Sequence, residues 1–355
     1  MTETTINEGK LEEFLNTVVS EVGAAYNAVL TAIGDELGLY AALREHGPLT
    51  SKELAAQTGT AERYIREWCN TQAASGFLRY HPDSDTYELP PEQAYVLADP
   101  SSPVYVPGMF QAAKSVLAFA PARIADGFRT GGGVGWHEHG EGLFEGTERF
   151  FRAGYEANLV SSWLPALTGV EDKLRAGARV ADVGCGYGAS TIIMAKAYPN
   201  STFVGYDYHA ASIEVARRRA AEAGVSDRVR FEVAAADEYP GTYDLVAYFD
   251  SLHDMGDPVA AAQHAHESLR PDGTWMVVEP RAGDNVEDNL NLVGRLYYAI
   301  STMICTPASL AQDGRMALGT QAGNARLEEV IRAGGFANVR EAAATPFNVV
   351  LEARP

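Results

Sequence analysis

The chain is 355 residues long and carries a formal net charge of −19, from 47 acidic and 28 basic side chains. This length suffices for two or three domains with a large buried core. The negative charge opposes binding to polyanions, so neither nucleic acid nor an anionic membrane is expected as a partner. Three scattered cysteines, no signal-peptide pattern and no long apolar run predict a reduced, soluble, cytoplasmic protein without a metal.

Residues 1–100 are predicted to form a separate helical domain. Helical periodicity recurs in four stretches, at residues 11–19, 24–43, 52–57 and 61–75. Thr50 and Glu53 have the spacing of a capping box before the third of these. Two short strands follow, at 77–80 and 86–89. This order of helix, turn, helix and hairpin resembles a winged helix. The charges on its second helix cancel, which favours association over DNA binding.

Residues 101–170 are predicted to form a helical linker and lid, with helices at 108–119 and 146–167. The second helix carries an apolar stripe with one residue every four positions, which indicates burial against a neighbouring element: Phe151, Tyr155, Leu159 and Trp163. In the glycine-rich segment before it, Trp136 and His137 are candidates for lining a substrate pocket. His137 and His139 alone do not provide the third ligand that a metal ion needs.

A predicted strand at 179–183 contains Asp182 and leads into three glycines on alternate positions, Gly184, Gly186 and Gly188. Glycine permits a tight turn and a close approach of backbone to a ligand. A second strand ends at Asp207, nineteen residues after Gly188, where a carboxylate can accept hydrogen bonds from ribose hydroxyls. The third glycine comes one residue earlier than in the dinucleotide fingerprint. Asp182 suits a cationic amino-acid end better than a phosphate.

This loop resembles the nucleotide loop of class I S-adenosylmethionine-dependent methyltransferases, and the resemblance continues closely from residue 175 to 280. It implies an α/β fold for residues 171–355, a doubly wound Rossmann-like sheet with an insertion at about 281–318. The implied cofactor is S-adenosyl-L-methionine, with S-adenosyl-L-homocysteine as product. The resemblance and the positions of the loops imply a set of cofactor contacts: Asp182, Gly184, Gly186, Gly188, Asp207, Tyr208, Ala236, Asp237, Glu238, Phe249, Asp250 and Tyr155.

The catalytic candidate is His253, just beyond the strand predicted at 243–249. Open α/β sheets bind ligands at this edge, and an imidazole can take the proton of a hydroxyl acceptor. The run Leu252-His253-Asp254 matches the L-H-D motif of winged-helix small-molecule O-methyltransferases, in which the histidine is the general base. In that family the N-terminal domain dimerises, which implies a homodimer. Asp254 itself is expected to cap the next loop, and Asp257-Pro258 is expected to open a helix as its N-cap and first residue.

Three further residues are candidates for contacting a small-molecule acceptor. A turn is predicted at 269–273, followed by the fifth predicted strand at 274–279. Glu279 ends this strand, at the same sheet edge, and can orient the base or touch substrate. Tyr297 and Tyr298 lie on a helix predicted at 289–302, within the insertion. The predicted function is methyl transfer to a small-molecule hydroxyl, with His253 as general base.

Two alternatives to O-methylation remain open. One is an N- or C-methyltransferase of the same fold, since His253 can serve each of these reactions. The other is a winged-helix transcriptional regulator that senses S-adenosylmethionine. The early third glycine and Asp237 argue against a nicotinamide-dependent oxidoreductase.

Overall fold

The computed structural model describes residues 6–355. They form two compact units, one ending at Lys114 and one running from Ser115 to Pro355. Among the described residues, none of the helices combines the length and apolar character needed to span a membrane.

The first unit is helical and carries one small hairpin. Its helices are α1 (Glu8–Glu36), α2 (Leu39–His46), α3 (Ser51–Thr58), α4 (Glu62–Ala74) and α5 (Pro91–Leu97), and its antiparallel strands are β1 (Arg79–His81) and β2 (Thr86–Glu88). The predicted capping box starts α3, because Thr50 accepts from the Glu53 N–H and Glu53 accepts from the Thr50 N–H. The winged-helix pattern of α3, α4 and the hairpin is confirmed.

A single helix, α1, replaces the two N-terminal helices expected from the sequence up to residue 36. It passes Gly23 without interruption, since one glycine in a helix interior costs only about 1 kcal/mol. The helix ends where Gly38 adopts a φ of 70° and donates to the Asp35 carbonyl. A left-handed glycine just past the last turn is a common helix stop. The predicted boundary at residues 19–24 was therefore wrong.

The second unit places helices on both faces of one sheet. Its helices are α7 (Pro121–Thr130), α8 (Glu141–Asn158), α9 (Leu164–Ala166), α10 (Val170–Ala176), α11 (Ala189–Ala197), α12 (Ala210–Glu222), α13 (Pro258–Glu267), α14 (Leu292–Ile300), α15 (Thr306–Leu310) and α16 (Gly323–Ala333); α6 spans Pro107–Phe119. Its strands are β3 (Arg179–Val183), β4 (Thr202–Asp207), β5 (Val229–Val233), β6 (Tyr243–Phe249), β7 (Leu269–Pro280), β8 (Asn338–Ala344) and β9 (Asn348–Arg354).

The strand order is β5-β4-β3-β6-β7-β9-β8. The first five strands in that order pair in parallel, and β9 pairs antiparallel with both β7 and β8. Side chains alternate along β3, with Val180 in the core under α11 and α12 and Ala181 in the core under α13 and α16. The predicted doubly wound α/β sheet is confirmed. Its parallel strands bring their carboxyl ends to one edge, where β3, β4, β6 and β7 each lead into a predicted site residue.

The apolar stripe from Phe151 to Trp163 stays on one face because the helix changes from α to π geometry. After α8 the chain makes a π-helical turn at Leu159–Trp163 before α9. A spacing of four residues drifts around an α-helix, which has 3.6 residues per turn, whereas a wider π turn corrects the drift. Tyr155, Leu159 and Trp163 are all buried. The stripe therefore packs in the core, as its periodicity indicated.

Strand β7 starts earlier than predicted. Leu269 pairs with Tyr243 and Thr274 pairs with Leu245, so the turn predicted at 269–273 is an irregularity inside β7. Downstream, α13 begins as expected, since the Asp257 carboxylate accepts from the N–H groups of Val259 and Ala260.

Candidate active site

The three glycines of the loop after β3 all require the left-handed backbone region. Gly184, Gly186 and Gly188 have φ values of 75°, 52° and 81°. A Cβ on Gly184 would lie 2.7 Å from Ser251, and one on Gly188 would lie 2.5 Å from the Phe231 ring. A Cβ on Gly186 would meet nothing within 4 Å. The outer glycines thus allow close packing, while the middle one faces open space.

Asp182 anchors the helix that follows this loop. Its Oδ2 accepts hydrogen bonds of 2.6 Å from both the Ser190 and the Thr191 hydroxyls, on the first turn of α11. Its Oδ1 is buried without a hydrogen-bond partner among the described residues. Burial raises the pKa of Asp182 to about 6, against the lowering effect of the two hydroxyls. An unpartnered buried oxygen needs an explanation, and a cationic ligand group would supply a partner.

Asp207 ends β4 and is held against the glycine loop. Its Oδ2 accepts from the Gly186 N–H at 2.9 Å, and its Oδ1 accepts from the His209 N–H at 2.8 Å. A carboxylate offers about four acceptor positions, so each oxygen can still accept from a ligand. Burial raises the pKa of Asp207, and the two N–H groups oppose the rise.

The predicted cofactor contacts Ala236, Asp237 and Glu238 lie directly beyond β5. Asp237 and Glu238 are solvent-exposed there, and the Ala236 carbonyl accepts from the Tyr248 hydroxyl at 3.3 Å. Tyr208, next to Asp207, is 44% exposed. These positions leave the side chains accessible at the same edge as the glycine loop.

Trp136, predicted to line a substrate pocket, lies in an aromatic run that reaches the residues after β4. Its ring centroid is 5.2 Å from that of Phe144, which in turn lies 4.9 Å from the His209 ring. His209 is the residue whose N–H bonds to Asp207. His137 is exposed, one position further along. The aromatic run therefore connects the lid segment to the end of β4.

Asp250 forms a buried network that includes Tyr155. Its Oδ2 accepts from the Tyr155 hydroxyl at 3.0 Å, and its Oδ1 accepts from the Asn348 side-chain amide at 2.8 Å. The Phe249 ring lies 5.3 Å from the Tyr155 ring. Asp250 has a φ of 49°, a conformation that recurs at functional sites. Burial, followed by the nearby charge of Glu279, raises the pKa of Asp250 to about 8.

His253 is buried and bound by Glu279. The imidazole Nδ1 lies 2.5 Å from Glu279 Oε2, and because a carboxylate can only accept, Nδ1 carries the proton. Glu279 Oε1 accepts from the N–H groups of Leu252 and His253, at 2.9 and 3.3 Å. The last residues of β7 thus fix both the loop after β6 and the tautomer of the neutral imidazole, in which Nε2 carries the lone pair.

Asp254 and Cys305 complete the surroundings of the imidazole. Asp254 Oδ1 lies 3.2 Å from His253 Nε2, so the carboxylate lies against the imidazole instead of capping the next loop. The Cys305 Sγ lies within 4.8 Å of a ring nitrogen of His253 and a carboxylate oxygen of Asp254. Burial alone lowers the pKa of His253, but the charges of Glu279 and Asp254 outweigh it and raise that pKa well above its usual value. Burial also raises the pKa of Cys305 to about 12.

Tyr297 is buried on α14, and its hydroxyl donates to the Phe347 carbonyl at 3.2 Å. Burial, followed by the charge of Asp250, raises the pKa of Tyr297. Tyr298 is 36% exposed on the next position of the helix. The two predicted acceptor contacts therefore differ: Tyr297 is part of the core near Asp250, whereas Tyr298 reaches solvent.

The sequence did not reveal two members of this site. Asn348 comes from the start of β9, close to the C-terminus, where nothing in the sequence marks a site residue. Cys305 ends a π-helical turn at Ser301–Cys305 inside the insertion. A hydrophilic amide at the beginning of an apolar strand was the one available signal for Asn348.

Two family models match the chain in the predicted order. Residues 25–99 match an Rv2258c-like winged HTH domain, and residues 174–334 match a methyltransferase domain. These matches confirm the resemblance stated from the sequence.

Curated relatives match part of the chain. The 27-O-demethylrifamycin SV methyltransferase of Amycolatopsis mediterranei is 42% identical over 104 residues, which are 28% of this chain and 38% of that protein. The ubiquinone biosynthesis O-methyltransferase of Paracidovorax citrulli is 34% identical over 133 residues, or 36% of this chain and 52% of that protein. The chain thus spans between about a third and a half of the length of these relatives.

Solved structures match the whole chain at low identity. Mitomycin 7-O-methyltransferase MmcR aligns with a TM-score of 0.72 and 19% identity, covering 98% of this chain and 100% of that one. Human N-acetylserotonin methyltransferase, solved in complex with SAM, aligns with a TM-score of 0.68 and 16% identity, covering 100% and 99%. At these identities the likeness establishes the fold.

Proposed function

We propose that this chain, which carries a class I methyltransferase domain behind a winged-helix domain, transfers the methyl group of S-adenosylmethionine to a hydroxyl of a small-molecule acceptor. The observation that carries the proposal is the Glu279–His253 pair, a carboxylate-oriented imidazole at the carboxyl edge of the sheet. A sulfonium cofactor supplies an electrophilic methyl group, so the protein has to align the acceptor and remove its proton.

The loop residues fit such a cofactor. The unpartnered Asp182 Oδ1 suits an ammonium group, the open space at Gly186 admits a ligand against the backbone, and Asp207 has lone pairs for two ribose hydroxyls. Tyr208, Asp237 and neighbours at the strand ends are assigned to the adenosine part. The Asp250–Tyr155 pair is assigned to the methionine part.

His253 is assigned as the general base. Nδ1–H is held by Glu279, so Nε2 takes the proton of the acceptor hydroxyl. Because the carboxylates raise the pKa of His253, the imidazole becomes competent as pH increases through that raised value. Oxygen is favoured over nitrogen as the acceptor atom because a neutral amine would not need such a base. Tyr297, Tyr298, His137 and Trp136 are assigned to the acceptor side.

The winged helix is assigned to self-association, not to DNA. The cations of α4 are neutralised within the helix, Arg63 by Glu67 at 2.6 Å and Arg66 by Glu62 at 2.8 Å. A DNA reader needs free cations on this helix. Such pairing favours an enzyme over a regulator.

The first unit also exposes an apolar face on α1. Its members recur at helical spacing, in the manner of a packing seam between helices: Leu11, Phe14, Leu15, Val18, Val19, Val22 and Tyr26. A contiguous exposed patch of seven apolar side chains is typical of an association surface. We assign a second copy of the chain as the occupant, which gives a homodimer. The three free, buried cysteines fit a reducing cytoplasm.

A screen of hydroxylated small molecules with isotope-labelled S-adenosylmethionine tests the function. Mass spectrometry should find the label on an oxygen of the product. Labelling only on nitrogen or carbon would refute O-methylation. Tighter binding of a nicotinamide dinucleotide than of S-adenosylmethionine in calorimetry would refute the cofactor.

A further inference from the structure

Three potential metal ligands converge at the base. One ligand atom each of His253, Asp254 and Cys305 lies within 4.8 Å of the other two, and His253 Nε2 is 3.2 Å from Asp254 Oδ1. They come from two separate segments, the loop after β6 and the end of the π-helical turn in the insertion. Two of the side chains are almost fully buried, and Asp254 is partly exposed, which leaves a way in for an ion.

Asp254 Oδ1 is buried at this position without a hydrogen-bond donor among the described residues. It lies 3.2 Å from Nε2. In the neutral imidazole, with Nδ1 protonated, both Nε2 and Oδ1 present lone pairs to the same space. Two ligands of a tetrahedral zinc ion at bond lengths of about 2.0–2.1 Å lie roughly 3.3 Å apart. The observed separation of 3.2 Å between Nε2 and Oδ1 matches this distance between two zinc ligands.

Glu279 strengthens the case for a metal. Histidine ligands commonly donate their second ring N–H to a carboxylate, which fixes the tautomer and raises the basicity of the ligating nitrogen. The 2.5 Å contact between Nδ1 and Glu279 is this arrangement. The imidazole is therefore pre-oriented for coordination through Nε2 even before an ion arrives.

We propose that His253, Asp254 and Cys305 form a site for a soft divalent cation of the Zn²⁺ type, and that its occupation stops methyl transfer. The nitrogen, carboxylate and sulfur set is one that Zn²⁺ accepts, with a fourth position for water, whereas Mg²⁺ and Ca²⁺ prefer oxygen ligands. Coordination displaces the Cys305 thiol proton to solvent. It also occupies the Nε2 lone pair that the base needs. The inhibitory part rests on the proposed function; the site itself does not.

Cobalt substitution tests the site without any activity assay. Chelator-treated full-length protein is titrated with Co²⁺, and one equivalent should produce tetrahedral visible bands with a sulfur-to-cobalt charge-transfer band in the near ultraviolet. Cys305→Ser should lose the charge-transfer band and weaken binding at least about tenfold. Cys69→Ser, at a buried cysteine of the first unit, is the matched control and should keep both. Asp254→Asn is the second test variant and should weaken binding similarly while keeping the sulfur band.

The inhibitory role is measured separately, as transfer with Zn²⁺ relative to each variant's own rate in chelator. Wild type and Cys69→Ser should lose activity at stoichiometric Zn²⁺. Cys305→Ser should require a Zn²⁺ concentration at least about tenfold higher for the same loss of activity. Absence of a sulfur band, or a band that survives in Cys305→Ser, overturns the site. Unchanged or faster transfer with Zn²⁺ overturns the inhibition. The cobalt signature without any methyl transfer would support the metal site and refute the proposed function.

Discussion

Replacing Glu279 by glutamine tests the base at the residue that positions it. The glutamine carbonyl can keep accepting from the Leu252 N–H, now 2.9 Å from Oε1. The amide NH₂ cannot accept from Nδ1–H, so the imidazole turns to its other tautomer, with the proton on Nε2. The nitrogen that faces the acceptor then holds a proton and no longer has a free lone pair.

The size of the effect follows from losing the base. General-base catalysis contributes about 10²–10⁴-fold, and the same carboxylate-to-amide change in a Ser-His-Asp triad lowers kcat by about 10⁴-fold through the wrong tautomer. Glu279→Gln should therefore lower kcat by about 10²–10⁴-fold. The charge of Glu279 also raises the pKa of His253. Without that charge, the limb of the pH–rate profile that reports deprotonation of His253 should move to lower pH.

Single-turnover methyl transfer at saturating cofactor, measured from pH 6 to 9, provides the assay. Cofactor affinity from calorimetry serves as a control and should stay within a few-fold of wild type, because Glu279 bonds the base and its loop. A kcat within threefold of wild type, with the limb in the same place, would refute the assignment of Glu279 and weaken that of His253.

Three further predictions concern the cofactor, pH and assembly. Asp207→Ala should weaken S-adenosylmethionine binding by about 1–3 kcal/mol, as for a lost hydrogen bond to a charged group; equal affinity in calorimetry would contradict this. Asp250, with a folded-state pKa of about 8, keeps a proton that the unfolded chain releases above about pH 4. Its contribution to stability is therefore lost as pH rises from about 4 to 8, by at most about 1.4 kcal/mol per pH unit. Asp250→Asn should show a flatter dependence of Tm on pH, and an identical slope would refute the raised pKa. Leu15→Glu with Val22→Glu should yield monomers by light scattering, whereas Val286→Glu, at an exposed position outside α1, should not; persistent dimers would remove α1 from the interface.

Features with local causes were predicted well from the sequence. The positive φ values of Gly184, Gly186 and Gly188 follow from the alternate glycines in a strand-to-helix turn. The capping box at Thr50 and the start of α13 at Asp257 depend on residues within four positions. The doubly wound α/β sheet followed from the succession of strands and helices, because parallel strands need crossovers.

Features made by distant residues were not predictable in this way. The partners of Asp250 lie 95 and 98 residues away in sequence, at Tyr155 and Asn348. The carboxylate of Asp254 was expected to serve its own loop, yet burial next to His253 directs it to the imidazole. Helix breaks were also misjudged, since Gly23 and Gly38 look alike in sequence and only the second adopts a left-handed conformation.

The central claim is that His253 removes a proton from a hydroxyl acceptor during methyl transfer. The most direct measurement is single-turnover transfer of labelled methyl by wild type and His253→Ala, at saturating cofactor and with the acceptor found in the screen. The account predicts a rate about 10²–10⁴-fold lower in the variant, with cofactor affinity nearly unchanged. Transfer to a hydroxyl at the wild-type rate would contradict it and leave His253 with a structural role.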